Sequence, residues 1–197
     1  FSVSKTIATK TVHEIYDFND LVTFAKLSRT DAHNADNYVL KNDIIITTEE
    51  QASLAQSDFK YISFGSRDNP FKGEFDGNGY TIKNLKYDST LSVATDTGLF
   101  SYTSEGAVIK NLVIDNADID ADFRGGIVVG YASHTLIENV IVKNSHINVA
   151  SADNVITLIT DGGIRGGALV GDLFDSTIYN CEARNTFVNT NNTSGVA

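Results

Sequence analysis

Methionine and tryptophan are absent from this 197-residue chain, and cysteine occurs once. A lone Cys181 cannot close an internal disulfide, so packing and backbone pairing must hold whatever fold forms. Basic residues are also few. Fifteen Lys and Arg stand against 25 Asp and Glu, and the formal charge of -10 repels phosphate backbones, which excludes nucleic acid as an expected partner. No apolar run approaches the roughly 20 residues that a spanning helix needs, and no basic-then-apolar leader opens the chain. With Phe1 in first place and no methionine, the chain reads as a piece of a longer protein.

What the chain does have is enough apolar residues, 42%, for one well-buried core, and repetition. When Gly98, Gly126 and Gly167 are taken as starts of successive units, the following residues fall into register. Ile109, Ile137 and Ile178 occupy one column, Asn111, Asn139 and Asn180 another, and Leu112, Val140 and Cys181 the next. Ile114, Val142 and Ala183 follow, and then Asn116, Asn144 and Asn185. The segment Ile82-Lys83-Asn84-Leu85 fits the same columns as an earlier unit, placing Ile82 with Ile109 and Asn84 with Asn111. A period near 28 residues, alternating like a strand, bending at asparagine and alternating again, describes one turn of a solenoid. The predicted fold is an all-β, right-handed parallel β-helix, with like residues stacked at the roughly 4.8 Å spacing of paired strands and asparagine amides bonding coil to coil.

The segments GGIVVGYASHTLIENVIVKNSHI and GGALVGDLFDSTIYNCEARNTFV resemble the GLUG-type repeats of large bacterial surface proteins. YVLKNDIII and FKGEFDGNGYTIKNL resemble the segment that leads into such repeats, and are similar to a β-helical region of secreted zinc metallopeptidases of the immunoglobulin-A1-protease family. The resemblance covers roughly residues 38 to 188 and implies an extracellular or cell-surface bacterial setting. It carries fold more than function, because one scaffold hosts many activities.

Residues 1 to 37 read differently. Asn19 to Ser28 begins with a capping residue and spaces Leu21, Phe24, Ala25 and Ser28 at helical intervals, which predicts a short helix covering the open first coil. Residues 38 to 197 form the β-helix proper, and Gly195-Val196-Ala197 falls 28 residues after Gly167-Ala168-Leu169, where another coil would start. Further coils are therefore expected in the parent.

Zinc-peptidase chemistry needs two histidines four apart with a glutamate between them. His13-Glu14 is followed by Asp17, and His33, His134 and His146 have no metal-ligand spacing, so neither a metal centre nor a cofactor is expected. A carbohydrate-active β-helix, the alternative function, needs carboxylates converging from neighbouring coils. The outward columns offer only Asp88 over Asp115. Asp118, Asp120 and Asp122 read as solvated acids on a strand edge, with a weak calcium site as the alternative. Asp76-Gly77-Asn78-Gly79 is a turn.

Two features depart from the repeat. Arg124 and Arg165 share a column with Asp96; they read as an ion-pair ladder with Asp96 and with Asp161 or Asp122, or as a site for an anionic sugar or carboxylate. The 41-residue spacing from Gly126 to Gly167 contains an insertion around 151 to 161 whose Val155, Ile156, Leu158 and Ile159 are too apolar to hang in water. These six residues are the candidate binding positions. The expected function is a non-catalytic module of a secreted or surface protein, acting in adhesion, ligand binding or substrate positioning, with a host protein or glycan as partner. An accessory region of a zinc metallopeptidase is a further alternative.

Overall fold

Short runs such as Val113-Ile114-Asp115 and Ile141-Val142-Lys143 place a β-branched residue inward between two outward neighbours, which suits a three-residue strand and nothing longer. A computed structural model describes residues 10–91, 95–150 and 164–191. Its strands pair in parallel into five sheets, one along each face of a stack of coils. The first face holds Val12–Ile15, Asn37–Leu40, Glu74–Asp76, Val108–Lys110, Leu136–Glu138 and Thr177–Tyr179. The second holds Ile44–Ile45, Thr81–Lys83, Val113–Asp115, Ile141–Lys143 and Glu182–Arg184. Lys86–Tyr87, Asp118–Ala121, His146–Ala150 and Phe187–Asn191 form the third. Asp96–Thr97, Arg124–Gly126 and Arg165–Gly167 form the fourth, and Phe100–Thr103, Val129–Ser133 and Val170–Phe174 the fifth. Each coil visits the faces in chain order, so strands neighbouring in space lie about one repeat apart in sequence.

The corners are made by asparagine. Between the first and second faces Asn111, Asn139 and Asn180 take φ of 53°, 55° and 48°, and between the second and third Asn84, Asn116, Asn144 and Asn185 take 62°, 56°, 51° and 46°. This left-handed conformation costs most L-residues about 1–2 kcal/mol, and asparagine tolerates it better than any other residue with a Cβ. The side chains then bond along the stack. Asn180 Nδ2 donates to Asn139 Oδ1 at 2.7 Å, Asn139 to Asn111 at 3.2 Å, and Asn111 to Asp76 Oδ1 at 3.0 Å. At the second corner Asn185 donates to Asn144 at 2.9 Å and Asn116 to Asn84 at 2.9 Å, while Asn144 donates to Asp115 Oδ1 at 2.9 Å.

The expected register holds from Ile109 onward and fails one unit earlier. Ile137 pairs with Ile109 and Ile178, but Ile82 pairs with Ile114 and Ile44, and Ile109 stands on Phe75 instead. Asn84 accordingly belongs to the second corner. Leu85 precedes a strand that pairs Lys86 with Asp118 and Tyr87 with Ile119, so it does not continue the Leu112, Val140, Cys181 column. The physical reason is that each coil carries two bends of nearly the same sequence, Ile109-Lys110-Asn111-Leu112 and Ile114-Asp115-Asn116-Ala117. The tetrapeptide Ile82-Lys83-Asn84-Leu85 matches the first in wording but sits at the second. The first bend of that coil is the turn Asp76-Gly77-Asn78-Gly79, whose Asp76 caps the ladder from Asn111. The same shift separates Asp88 from Asp115, which pairs with Lys83 below and Lys143 above.

Inward columns fill the core: Ile82, Ile109, Ile114, Ile137 and Val142 are fully buried. In the last described coil Ile178 and Val188 are 39% and 43% exposed, and Cys181 is half-buried, with burial pushing its thiol above the ordinary value. Gly125 faces the interior where a Cβ would lie 2.8 Å from Ala121 Cβ and 3.0 Å from Ile147 Cδ1, which explains why the repeat spends a glycine there.

The N-terminal end is built otherwise. Helix α1, Phe18–Leu27, buries Leu21 and Ala25; its N-cap is Asp17, whose side chain accepts from Asp20 N–H at 3.0 Å, two residues earlier than the sequence suggested. Pairing reaches below residue 38, because Val12–Ile15 lies beside Asn37–Leu40. A second helix, α2 at Thr48–Gln56, was not expected; its capping box, Thr47 with Glu50, is the signal for it. Between the helices and the regular coils the core is aromatic, with Tyr38, Phe64, Phe71, Phe75 and Phe100 in mutual ring contact at 5.2–6.3 Å.

Candidate functional site

On the fourth face the parallel pairing sets Asp96, Arg124 and Arg165 one above another, as their shared column requires. Adjacent like charges would repel, and the fifth face supplies the remedy. Asp172, on strand Val170–Phe174, lies between the arginines: Arg124 Nη1 is 3.5 Å away and Arg165 Nη1 is in direct contact. At the lower end Arg124 Nε meets Asp96 Oδ1 at 2.6 Å, and Arg67 approaches the same carboxylate at 3.2 Å. The result is a chain of alternating charge, Arg67, Asp96, Arg124, Asp172, Arg165, with three cations to two anions on a protein whose formal charge is -10.

Burial is deepest in the middle of this chain. Asp96 is 4% exposed and Arg124 14%, so their ion pair is largely desolvated; Arg67 is 59% exposed and Arg165 41%, so both ends meet solvent. The Arg124 guanidinium also lies 4.6 Å from the Tyr131 ring centroid, and Tyr131 stacks on Tyr102 at 4.4 Å. Burial, with Tyr131 alongside, holds the Tyr102 phenol above its ordinary value. Arg124, Tyr131, Arg165, Asp172, Leu173 and Phe174 line a cavity of about 200 Å³, and Phe174 is 57% exposed. A guanidinium, an aromatic ring and a carboxylate around one hollow can hold a planar anion or a sugar ring with a carboxylate.

The sequence placed the two arginines and Asp96 correctly relative to one another but did not identify their other carboxylate. Asp172 lies seven residues beyond Arg165 on the next face, a proximity created by the corner between the strands. Asp161, and the candidate positions Val155, Ile156, Leu158 and Ile159, lie outside the described residues. Asp118 and Asp120 point outward and are engaged by neighbouring coils: Asp118 by His146 at 3.3 Å and Lys86 at 3.9 Å, and Asp120 by Asn148 at 3.3 Å. Asp122 does not join them as a third solvated acid: the strand ends at Ala121, the alternation stops there, and Asp122 is buried at 7% exposure.

Two other concavities are larger and more open. One of about 550 Å³ runs between the N-terminal turn of α2 and the second asparagine corner, past Thr47, Glu49, Gln51, Asn84, Lys86 and Asp118. Another, of about 350 Å³, lies along the corner that carries His134 and Asp175. Neither gathers charge of one sign. Among the described residues one group of three His, Cys, Asp or Glu side chains is close enough to share an ion, and it is none of these: His13, His33 and Asp36, at the N-terminal end.

The chain is similar to halomucin of Haloquadratum walsbyi, with 29% identity over 158 residues, which is 79% of this chain and 2% of halomucin. It therefore spans a very small part of the relative it matches. No family model matches the chain, and no solved structure matches it.

Proposed function

We propose that this chain is a non-catalytic stretch of a right-handed β-helix within a very large cell-surface or secreted protein, and that it binds anionic glycan or carboxylate groups at the arginine ladder. Three supports bear on the setting. The match to halomucin falls within 2% of that protein's length, which suits one module among many. The GLUG-like wording of the coils belongs with surface proteins. Right-handedness is the hand that parallel strands joined by crossovers adopt in nearly all cases.

The observation that carries the binding site is the surplus guanidinium. Arg124 is flanked by Asp96 and Asp172 and largely covered, whereas Arg165 is 41% exposed and lies with Phe174 and Tyr131 at the hollow. A stack of near-identical coils presents interchangeable flat faces, so specificity has to come from departures from the repeat. The hollow and the insertion at 151 to 161 are such departures, and they adjoin in sequence.

Glycan and host-protein arrays probed with the whole chain test this reading. Binding to uronate- or sialate-bearing glycans is expected, falling about tenfold or more in Arg165→Ala, consistent with the roughly 1.5–3 kcal/mol of a charge-assisted hydrogen bond, and falling also in Phe174→Ala through the lost ring contact. Loss of binding on deleting residues 152 to 160, with β-type dichroism retained, would add the insertion to the site. Binding untouched by all three changes overturns the site. Cleavage of a glycan or protein that depends on Asp118 or Asp120 overturns the non-catalytic reading.

A further inference from the structure

Three side chains far apart in sequence meet at the N-terminal end of the stack. His13 stands on the strand Val12–Ile15, while His33 and Asp36 flank the turn that leads from α1 into the strand Asn37–Leu40. His13 Nε2 and His33 Nδ1 each lie 2.8 Å from the same Asp36 Oδ2, and the three potential ligand atoms lie within 4.8 Å of one another. A carboxylate only accepts, so with no metal bound each imidazole directs an N–H at that oxygen. Burial raises the Asp36 carboxyl, yet the hydrogen bonds from His13 and His33 outweigh it and hold the group below its ordinary value.

The surroundings hold this arrangement in place. The His13 ring stacks on Tyr38 at 5.1 Å and leans on Phe24 at 4.8 Å, so its plane is set by the core and not by solvent. Tyr38 Oη donates to the His33 carbonyl at 3.1 Å, and the Asp36 N–H donates to the same carbonyl at 3.2 Å, which fixes the turn. His13 and Asp36 are 17% and 14% exposed, whereas His33 is 39% exposed and gives access from one side. The other two histidines have simpler company. Among the described residues His134 meets only Asp175 among carboxylates, and His146 only Asp118, both at exposed positions.

We propose that His13, His33 and Asp36 are a binding site for a divalent transition-metal ion, Zn²⁺ by ligand chemistry, which clasps the first strand to the turn before the second. Two imidazoles and a carboxylate are a common zinc ligand set, and bonds of about 2.0–2.1 Å in a tetrahedron separate donor atoms by about 3.3 Å. The 2.8 Å contacts would open to that distance and the longer separation would close to it. The ion takes the place of the two bridging hydrogens. An imidazole that ligates through the nitrogen facing Asp36 carries its proton on the other ring nitrogen, Nδ1 of His13 and Nε2 of His33. The fourth position opens beside His33 and takes water. One carboxylate against a dication leaves a single positive charge, which a chain of charge -10 accommodates. Because His13 and His33 lie on separate segments, the ion would close the loop containing α1 and stiffen the end of the stack.

The experiment is a calorimetric titration of the whole chelator-treated chain with Zn²⁺ alone, paired with the visible absorption of the Co²⁺ form and a thermal melt of each. One ion per chain, a raised melting temperature and the intense visible bands of four-coordinate Co²⁺ are expected. His33→Ala, at the most exposed ligand, should keep its far-ultraviolet dichroism and lose affinity by more than the ~10- to 100-fold that loss of an outer-shell partner costs. Asp36→Asn should do the same, and if it fails to fold, His33→Ala decides alone. His134→Ala should bind as the parent does. No saturable binding, binding unchanged in His33→Ala, or binding lost in His134→Ala each overturns the site.

Discussion

At the scale of the residue, asparagine does two separable jobs in this protein. It occupies a left-handed corner that most side chains avoid, and its amide links that corner to the coils below and above. At Asn139 both are visible: φ is 55°, the side chain donates to Asn111 and accepts from Asn180. Substitutions can divide the two. Asn139→Gly keeps the corner and loses the links, and should cost about 0.5–1.5 kcal/mol per lost net hydrogen bond. Asn139→Ala and Asn139→Leu also force a Cβ without amide compensation into the left-handed region, adding about 1–2 kcal/mol. Chemical denaturation should rank the parent above Gly, and Gly above Ala and Leu. Equal stability of Gly and Ala would mean the corner is not strained.

At the scale of the element, the fourth and fifth faces are joined by the charge ladder, and its covered middle and its exposed end at Arg165 should respond differently to truncation. Asp96→Ala removes the 2.6 Å partner of the largely covered Arg124, which keeps Asp172 at 3.5 Å, and should cost about 1.5–3 kcal/mol, the range of an interaction with a charged group. Arg165→Ala removes an exposed partner and should cost no more than about 1 kcal/mol. Urea melts of the two variants check this; similar losses would mean that the ladder is uniformly solvated. The helices obey more local rules. The capping box at Thr47 and Glu50 and the Asp17 cap each satisfy backbone donors within three residues, so both helix starts are written locally. The helix at Thr48–Gln56 went unanticipated because its one buried residue, Leu54, gives no apolar stripe to read.

At the scale of the whole molecule, the aromatic lower core sets an alkaline limit. Burial pushes the phenols of Tyr38 and Tyr87 well above the ordinary value near 10. Groups raised in the folded state contribute stability that is whole below the unfolded value and is lost as pH rises through the folded one. The stack should therefore keep its stability to about pH 10 and weaken beyond it. Two of the eight tyrosines should show phenolate absorbance only in step with loss of far-ultraviolet dichroism. Ionisation of all eight before any loss of structure would place Tyr38 and Tyr87 outside the core.

The repeat was legible because a coil's inward positions and corner asparagines are local: alternation sets which side chains face in, and a left-handed corner selects asparagine wherever the chain bends. From Ile109 onward these two rules sufficed to align the coils. They failed at Ile82, because the two bends of a coil are chemically alike and only pairing with a neighbouring coil tells them apart. The candidate sites divide along the same line. Stacked arginines could be read from the Arg-Gly-Gly that opens two units, since a parallel stack converts like positions into contact even where the spacing is 41 residues and not 28. Asp172 beside Arg165, and His13 beside His33 and Asp36, join segments that no repeat relates. Their proximity is set by where the corners turn and by how the first strand lies against the second, which is a property of the packed coils and not of any stretch of sequence.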